Sequence, residues 1–378
     1  MLVKRTIQES VEKALFKGKI IIIYGARQVG KTTLVKGILK KYPEKSAYFN
    51  CDEPDIKQAL TNKTSTELKS FLGKRKLVVL DEAQRVENIG ITLKLLADNF
   101  PEIQIIATGS SSFDLSNKIS EPLTGRKNEF FLFPLSLEEL SQAYADIELD
   151  RLLEKRIVLG MYPAIVFGEN DFRKNLKSLA QSYLYKDALQ HQDLRNPEAL
   201  EKLLQALALQ VGNEVSYNEL ASLVGINKNT IMKYIRLLEQ AFIVFRLTPF
   251  SKNLRNELKK LRKIYFFDTG IRNAIINNLN PLNLRTDAGS LWENFLISER
   301  IKLNFNHGAE TKTYFWRTRD GQEMDYIEDA QGKISGFEIK WQKDKLKKHK
   351  NFLEAYPESR LDLINKKNYK KFLTKNGT

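Results

Sequence analysis

Between Gly25 and Thr32 the chain reads Gly-Ala-Arg-Gln-Val-Gly-Lys-Thr, which meets the pattern G-x-x-x-x-G-K-[ST] at every fixed position. An apolar run from Ile20 to Tyr24 precedes it, and Thr33-Leu-Val-Lys-Gly-Ile-Leu-Lys-Lys continues it as an amphipathic helix. Strand, glycine-rich loop and helix in this order let the backbone curl so that successive N–H groups and the positive end of the helix dipole face phosphates. Gly25, Ala26, Arg27, Gln28, Val29, Gly30, Lys31, Thr32 and Thr33 are therefore the expected nucleotide-binding residues. Lys31 is placed to reach the β- and γ-phosphates and the Thr32 hydroxyl to ligate Mg²⁺, so ATP and Mg²⁺ are the expected cofactors. With the strand, the Lys-Thr pair and the helix all in place, the pattern reads as nucleotide binding rather than as a plain turn.

Five short apolar runs separated by helical patterns follow one another: Ile20–Tyr24, Ala47–Asn50, Leu77–Asp81, Ile103–Thr108 and Glu129–Phe133. Such alternation predicts an α/β domain with a mainly parallel sheet covered on both faces. The third run ends in Asp81-Glu82. Asp81 at the carboxyl end of a buried strand is placed to hold Mg²⁺ through water, and Glu82 to orient or deprotonate the attacking water. At the tip of the fourth run Thr108 and Ser110 are both candidates for contacting the γ-phosphate or the water, with a plain turn as the alternative. Arg126, leading into the fifth run, is a candidate arginine finger, in cis or toward a neighbouring subunit, and equally a surface arginine at a strand start.

The segments G-A-R-Q-V-G-K-T-T-L, V-V-L-D-E-A-Q and A-T-G-S-S, then L-T-G-R and F-P-L-S-L-E-E-L, occur in this order. The set resembles a family of bacterial and archaeal AAA+ ATPases, near the archaeal STAND-type ATPases, whose C-terminal domain has no assigned function. The resemblance extends over almost the whole chain. It includes Gly160-Met-Tyr-Pro163, where Met161 stands in place of a usual second glycine, and Tyr185-Lys-Asp187. It implies an AAA+ sheet order and ATP binding; the spacing alone implies only a phosphate-loop α/β domain.

At 378 residues the chain is long enough for two or three domains. No apolar stretch approaches the roughly 20 residues of a membrane helix, and the N-terminus lacks a signal-peptide apolar region. Cys51 is the only cysteine, which rules out an internal disulfide and fits a cytoplasmic location. Of the net charge of +15, a surplus of seven falls in Gln342–Thr378, which holds eleven Lys/Arg against four Asp/Glu. A basic surface points toward a polyanion such as DNA, or toward a merely solvated lysine-rich face.

Leu149 to Leu209 is rich in helix formers, at the usual place for an AAA+ lid. From Val215 to Ile235, Ala221, Gly225 and Ile231 match helix-turn-helix spacing: a small residue at the helix crossing, glycine in the turn, an apolar anchor. Asn227 or Asn229 can cap the second helix, whose exposed face would carry Lys228, Asn229, Lys233 and Arg236. Phe242–Leu247 and Lys263–Phe267, bridged by a basic segment, have the layout of a wing.

Near the end, Asp325 precedes Glu338-Ile-Lys340, where alternation along a strand puts Glu338 and Lys340 on one face. Two carboxylates and a lysine on a sheet face can bind Mg²⁺ and activate water for phosphodiester cleavage. The pattern resembles the PD-(D/E)xK nuclease core; in that comparison Asp325, Glu338 and Lys340 match the core triad and Glu293 its helical acid. Ser290-Leu-Trp-Glu293 also reads as a capping box, which would explain Glu293 without catalysis.

The expected architecture is thus an AAA+ ATPase core over residues 1–145, a helical lid over 146–205, a winged helix over 206–270 and an α/β nuclease-like domain over 271–378. The leading expectation is an ATPase acting on or near DNA, with ATP/ADP and DNA as partners, no membrane, and oligomerisation left open. The alternatives are an ATP-dependent switch that uses these modules for protein contacts without nuclease chemistry, and a DNA-binding regulator that senses ATP.

Overall fold

The computed structural model describes residues 3–109, 119, 121–168, 171–183, 196–251, 262–318, 320–342, 345 and 349–374. Ser110, Tyr185-Lys-Asp187, the basic segment between the proposed wing strands, and Lys343, Lys347 and Lys348 of the terminal basic run lie outside these residues. The chain forms two compact units: Leu2–Pro134 with Gln240–Phe242, and Leu135–Glu239 with Ile243–Thr378.

The first unit is built on five parallel strands: β1 (Ile20–Tyr24), β2 (Ser46–Asn50), β3 (Leu77–Asp81), β4 (Gln104–Gly109) and β5 (Lys127–Phe131). Their order is β2-β3-β4-β1-β5, all pairs parallel. The central strands β1, β3 and β4 are buried along their whole length, as their unbroken apolar runs require of a sheet covered on both faces. Inserting β4 between β1 and β3 brings the carboxyl ends of these three strands side by side. That edge carries the phosphate loop, Asp81 and Thr108. The chain is mixed α/β with a parallel central sheet, consistent with the AAA+ fold that the motifs implied.

The longest helices in the first part of the second unit are Asp146–Leu159, Phe172–Tyr183 and Pro197–Leu209, where helix formers predominate. Met161 needs no glycine: its backbone is not among the positive-φ residues, and its N–H donates to the buried carboxylate of Asp268 at 2.7 Å. Helices Tyr217–Val224 and Lys228–Gln240 follow, joined by a turn at Gly225 whose φ of +79° favours glycine. Asn227, not Asn229, caps the second helix, its Oδ1 accepting from the Thr230 N–H at 2.9 Å.

Seven strands complete this unit in the order β12-β11-β10-β9-β7-β8-β6. They are β6 (Glu214–Val215), β7 (Val244–Pro249), β8 (Arg262–Phe266), β9 (Lys312–Arg317), β10 (Glu323–Ala330), β11 (Lys333–Ile339) and β12 (Arg360–Ile364). The strands read from the sequence as a wing therefore join the carboxy-terminal sheet, β7 running parallel to β9 through Thr248–Tyr314 and Pro249–Phe315. In β10 the register against β9 shifts between Met324 and Ile327. The bulge lets these two residues, three apart, share one apolar cluster with Trp316, Phe352 and Tyr356, which a regular two-residue period would forbid. Among the described residues no helix is long and apolar enough to cross a membrane.

Candidate active site

The phosphate loop leaves β1 at Gly25, where an added Cβ would lie 2.2 Å from the Leu132 carbonyl oxygen; only glycine lets the loop pass beside the end of β5. The helix Lys31–Leu39 starts directly behind the loop. Lys31 is buried, and its Nζ donates to the carbonyl oxygens of Gly25 at 2.8 Å and Ala26 at 3.0 Å, folding the ammonium over the loop. Arg5, which the sequence did not single out, braces the loop from below, donating to the Val29 carbonyl at 2.6 Å and to the Phe133 carbonyl at 2.7 Å.

Asp81 at the end of β3 is the hub. Its Oδ2 accepts from Thr32 Oγ1 at 2.6 Å and from the Tyr48 hydroxyl at 2.6 Å, and its Oδ1 accepts from Thr108 Oγ1. Glu82 adopts a left-handed backbone, φ +55°, donates its N–H to Thr108 Oγ1 at 3.2 Å and accepts from Gln84 Nε2 at 2.6 Å. Lys31, Thr32, Asp81, Glu82 and Thr108, distant in sequence, are thus brought to one sheet edge. Thr32 and Asp81 supply the hard oxygen donors that Mg²⁺ takes together with phosphate oxygens, so these residues fit the ion.

Tyr48 is the second residue that sequence reasoning missed. It lies on β2 with the Lys36 ammonium 4.6 Å above its ring, and burial together with the Asp81 hydrogen bond holds its hydroxyl above the ordinary tyrosine range. Tyr48→Phe is expected to slow ATP turnover roughly tenfold, the worth of one hydrogen bond to a charged acceptor, with ATP affinity unchanged. Steady-state turnover and equilibrium binding on the same preparation check this, and wild-type turnover would reduce Tyr48 to a packing residue.

Arg126 is placed elsewhere. Its carbonyl accepts from the Ile20 N–H at the amino end of β1, and its Nε pairs with Asp98 at 2.5 Å. A five-residue strand, about 16 Å of rise, separates it from the phosphate loop. From there it does not reach the loop of its own chain, and its half-exposed pairing with Asp98 agrees with a surface arginine at a strand start as well as with a finger toward a neighbouring copy.

The carboxy-terminal residues also assemble, within the second unit. Asp325 Oδ2 accepts from the Ile339 N–H at 2.7 Å and from Lys340 Nζ at 2.9 Å; Glu338 lies 3.8 Å from Lys340 Nζ and 3.1 Å from His349 Nε2. Glu293 is no capping residue. The helix runs Ala288–Asn306 from Asp287 without a side-chain cap, so Ser290 already lies inside its first turn, and Glu293 accepts from the Tyr265 hydroxyl at 2.6 Å. Lys263 Nζ sits 3.4 Å from Glu293 and also pairs with Glu323. Burial pushes the Glu293 carboxyl up to about 7, Lys263 opposing and Asp325 reinforcing the shift. Asp325 Oδ2 and Glu338 Oε2 are engaged by Ile339, Lys340 and His349, and among the described residues no group of three or more His, Cys, Asp or Glu side chains could hold a metal. The hydroxyls around Asp81 can turn a lone pair toward an ion, but the Lys340 ammonium between Asp325 and Glu338 has none to offer, so the residues present do not fit the expected metal pair Asp325–Glu338. Lys263 and Tyr265 carried one legible signal: they alternate with Ile264 and Phe266 along β8 and so share one face.

Residues 17–141, which contain the whole phosphate site, match the family model described as an AAA domain. These matches support an AAA-type ATPase family. Residues 150–282 and 288–376 match two models described as domains of unknown function, DUF8612 and DUF4143. Similar proteins include an uncharacterized protein of Mycobacterium tuberculosis, 27% identical over 345 residues, covering 90% of this chain and 74% of the relative. One of Methanocaldococcus jannaschii is 26% identical over 344 residues, covering 85% and 75%. Among solved structures, the Pif1 helicase of Candida albicans aligns at 16% identity and a TM-score of 0.27 over 53% of this chain and 50% of that one, about half the helicase's length. The family-model match over residues 17–141 supports a nucleotide-binding ATPase of the AAA type.

Proposed function

We propose that the chain binds and hydrolyses Mg-ATP at the phosphate loop and uses the second unit to contact DNA without cutting it. The observation that carries the ATPase reading is the Asp81 carboxylate, held by Thr32, Thr108 and Tyr48 at the mouth of the loop. In this reading Lys31 binds the terminal phosphates, Thr32 and Asp81 hold Mg²⁺, and Glu82 takes the proton of the attacking water. Mg²⁺, when bound, neutralises charge building on the phosphate oxygens.

DNA contact is assigned to a winged helix made of Tyr217–Val224, Lys228–Gln240 and the β7–β8 hairpin. What supports it is the second helix: Ile231, Tyr234, Ile235 and Leu238 are buried while Lys228, Asn229, Lys233 and Arg236 form an exposed face of basic and amide groups. Lys233→Glu/Arg236→Glu is expected to weaken retention on duplex DNA and lower the salt slope of binding by roughly 2, with ATP turnover unchanged. Retention equal to wild type would remove the DNA reading and leave an ATP-dependent switch acting on proteins. The non-cleaving reading is supported by the Lys340 ammonium on Asp325 Oδ2 and the His349 ring on Glu338 Oε2; cleavage of DNA with Mg²⁺ or Mn²⁺ that is lost in Asp325→Ala and Lys340→Ala would overturn it.

A further inference from the structure

The acid cluster of the second unit holds more charge than the nuclease comparison provides. Glu293 from the long helix, Glu323 and Asp325 from β10, and Glu338 from β11 converge there. Lys340 answers from one side. From the other, Lys263 leaves β8, passes 5.6 Å from the ring of Phe315 on β9, and ends against Glu293 and Glu323. Only 2% of its surface is exposed.

A buried ammonium is costly unless carboxylates surround it. Burial lowers the proton affinity of Lys263, but the charges of Glu293, Glu323 and Asp325 outweigh that and hold it above the ordinary lysine range. It is therefore a fixed cation at the point where these acids meet. A divalent ion arriving there would face that charge in a poorly screened interior, and Asp325 Oδ2 and Glu338 already serve Ile339, Lys340 and His349.

We propose that the Lys263 ammonium stands in for a divalent cation in this cluster, making it a metal-independent ion network that ties β8 to β10 and the helix Ala288–Asn306. The nuclease-like constellation is thereby a structural joint between the helix-turn-helix segment and the carboxy-terminal sheet. This deepens the non-cleaving reading, yet metal binding and DNA retention are separate measurements and can fail separately.

The test is Mn²⁺ titration of the full chain, followed by calorimetry. Wild type and Asp325→Asn should give the same isotherm, because the wild-type cluster takes no metal. Lys263→Met keeps the side chain's length and removes its charge; it should gain an Mn²⁺ site absent both from wild type and from Lys263→Met/Asp325→Asn. If Lys263→Met does not fold, Lys263→Met/Glu293→Gln, with one acid fewer to compensate, takes its place. Asp325-dependent Mn²⁺ binding in wild type overturns the proposal, as does a folded Lys263 variant that gains no site.

Discussion

Replacing Lys31 by alanine is expected to abolish tight ATP binding. The ammonium bends over the loop toward Gly25 and Ala26, and contact with terminal phosphates would trade those neutral acceptors for charged ones. Two charge-assisted hydrogen bonds are worth about 3 kcal/mol or more, a loss of affinity of roughly a hundredfold. Calorimetric titration with a non-hydrolysable ATP analogue measures it, and the thermal midpoint of the free protein separates lost contact from lost fold. An unchanged dissociation constant in a folded variant would dispose of the phosphate-loop reading.

The second large effect is expected from Glu82→Gln, which should leave ATP bound while turnover falls roughly 10²- to 10⁴-fold, the usual contribution of a general base. Binding depends on the loop and Asp81, which the substitution does not touch. The glutamine matches glutamate in size and can still meet Gln84, now 2.6 Å from the carboxylate. The two readouts therefore separate: affinity stays and the rate falls. Hydrolysis at the wild-type rate would shift the role to Asp81 or to a water held by Thr108.

The phosphate site was legible because its defining residues are consecutive and its strands are unbroken apolar runs; all five strands appear within two residues of the expected bounds. Arg5 and Tyr48 were not, because each matters only through a strand or loop far away in sequence, and the adjacency of β2 and β3 is a property of sheet order. Arg126 illustrates the converse. Its position before β5 was readable, but which end of a parallel strand it occupies relative to the loop became clear only with the pairing of Ile20 and Lys127. The Ser290–Glu293 pattern misled because S-x-x-E marks a helix start only where the chain is not yet helical, and here the helix begins at Ala288. Asp325, Glu338 and Lys340 do meet as their spacing suggested; that Lys263 joins them from β8 depends on strand pairing no local pattern encodes.

The seven-stranded sheet governs how the protein can be dissected. Expressing the last hundred residues alone, by a cut near residue 270, would strip β7 from β9 and remove Lys263 from its acids. The fragment would carry a bare strand edge beside an acid cluster left with Lys340 but without Lys263, and bare edges recruit other chains. Excision after Phe242 is no better, since it sends β6 and its partner β8 to different pieces. The carboxy-terminal half behaves as an indivisible piece, and a truncation that precipitates would report a torn sheet rather than a missing activity.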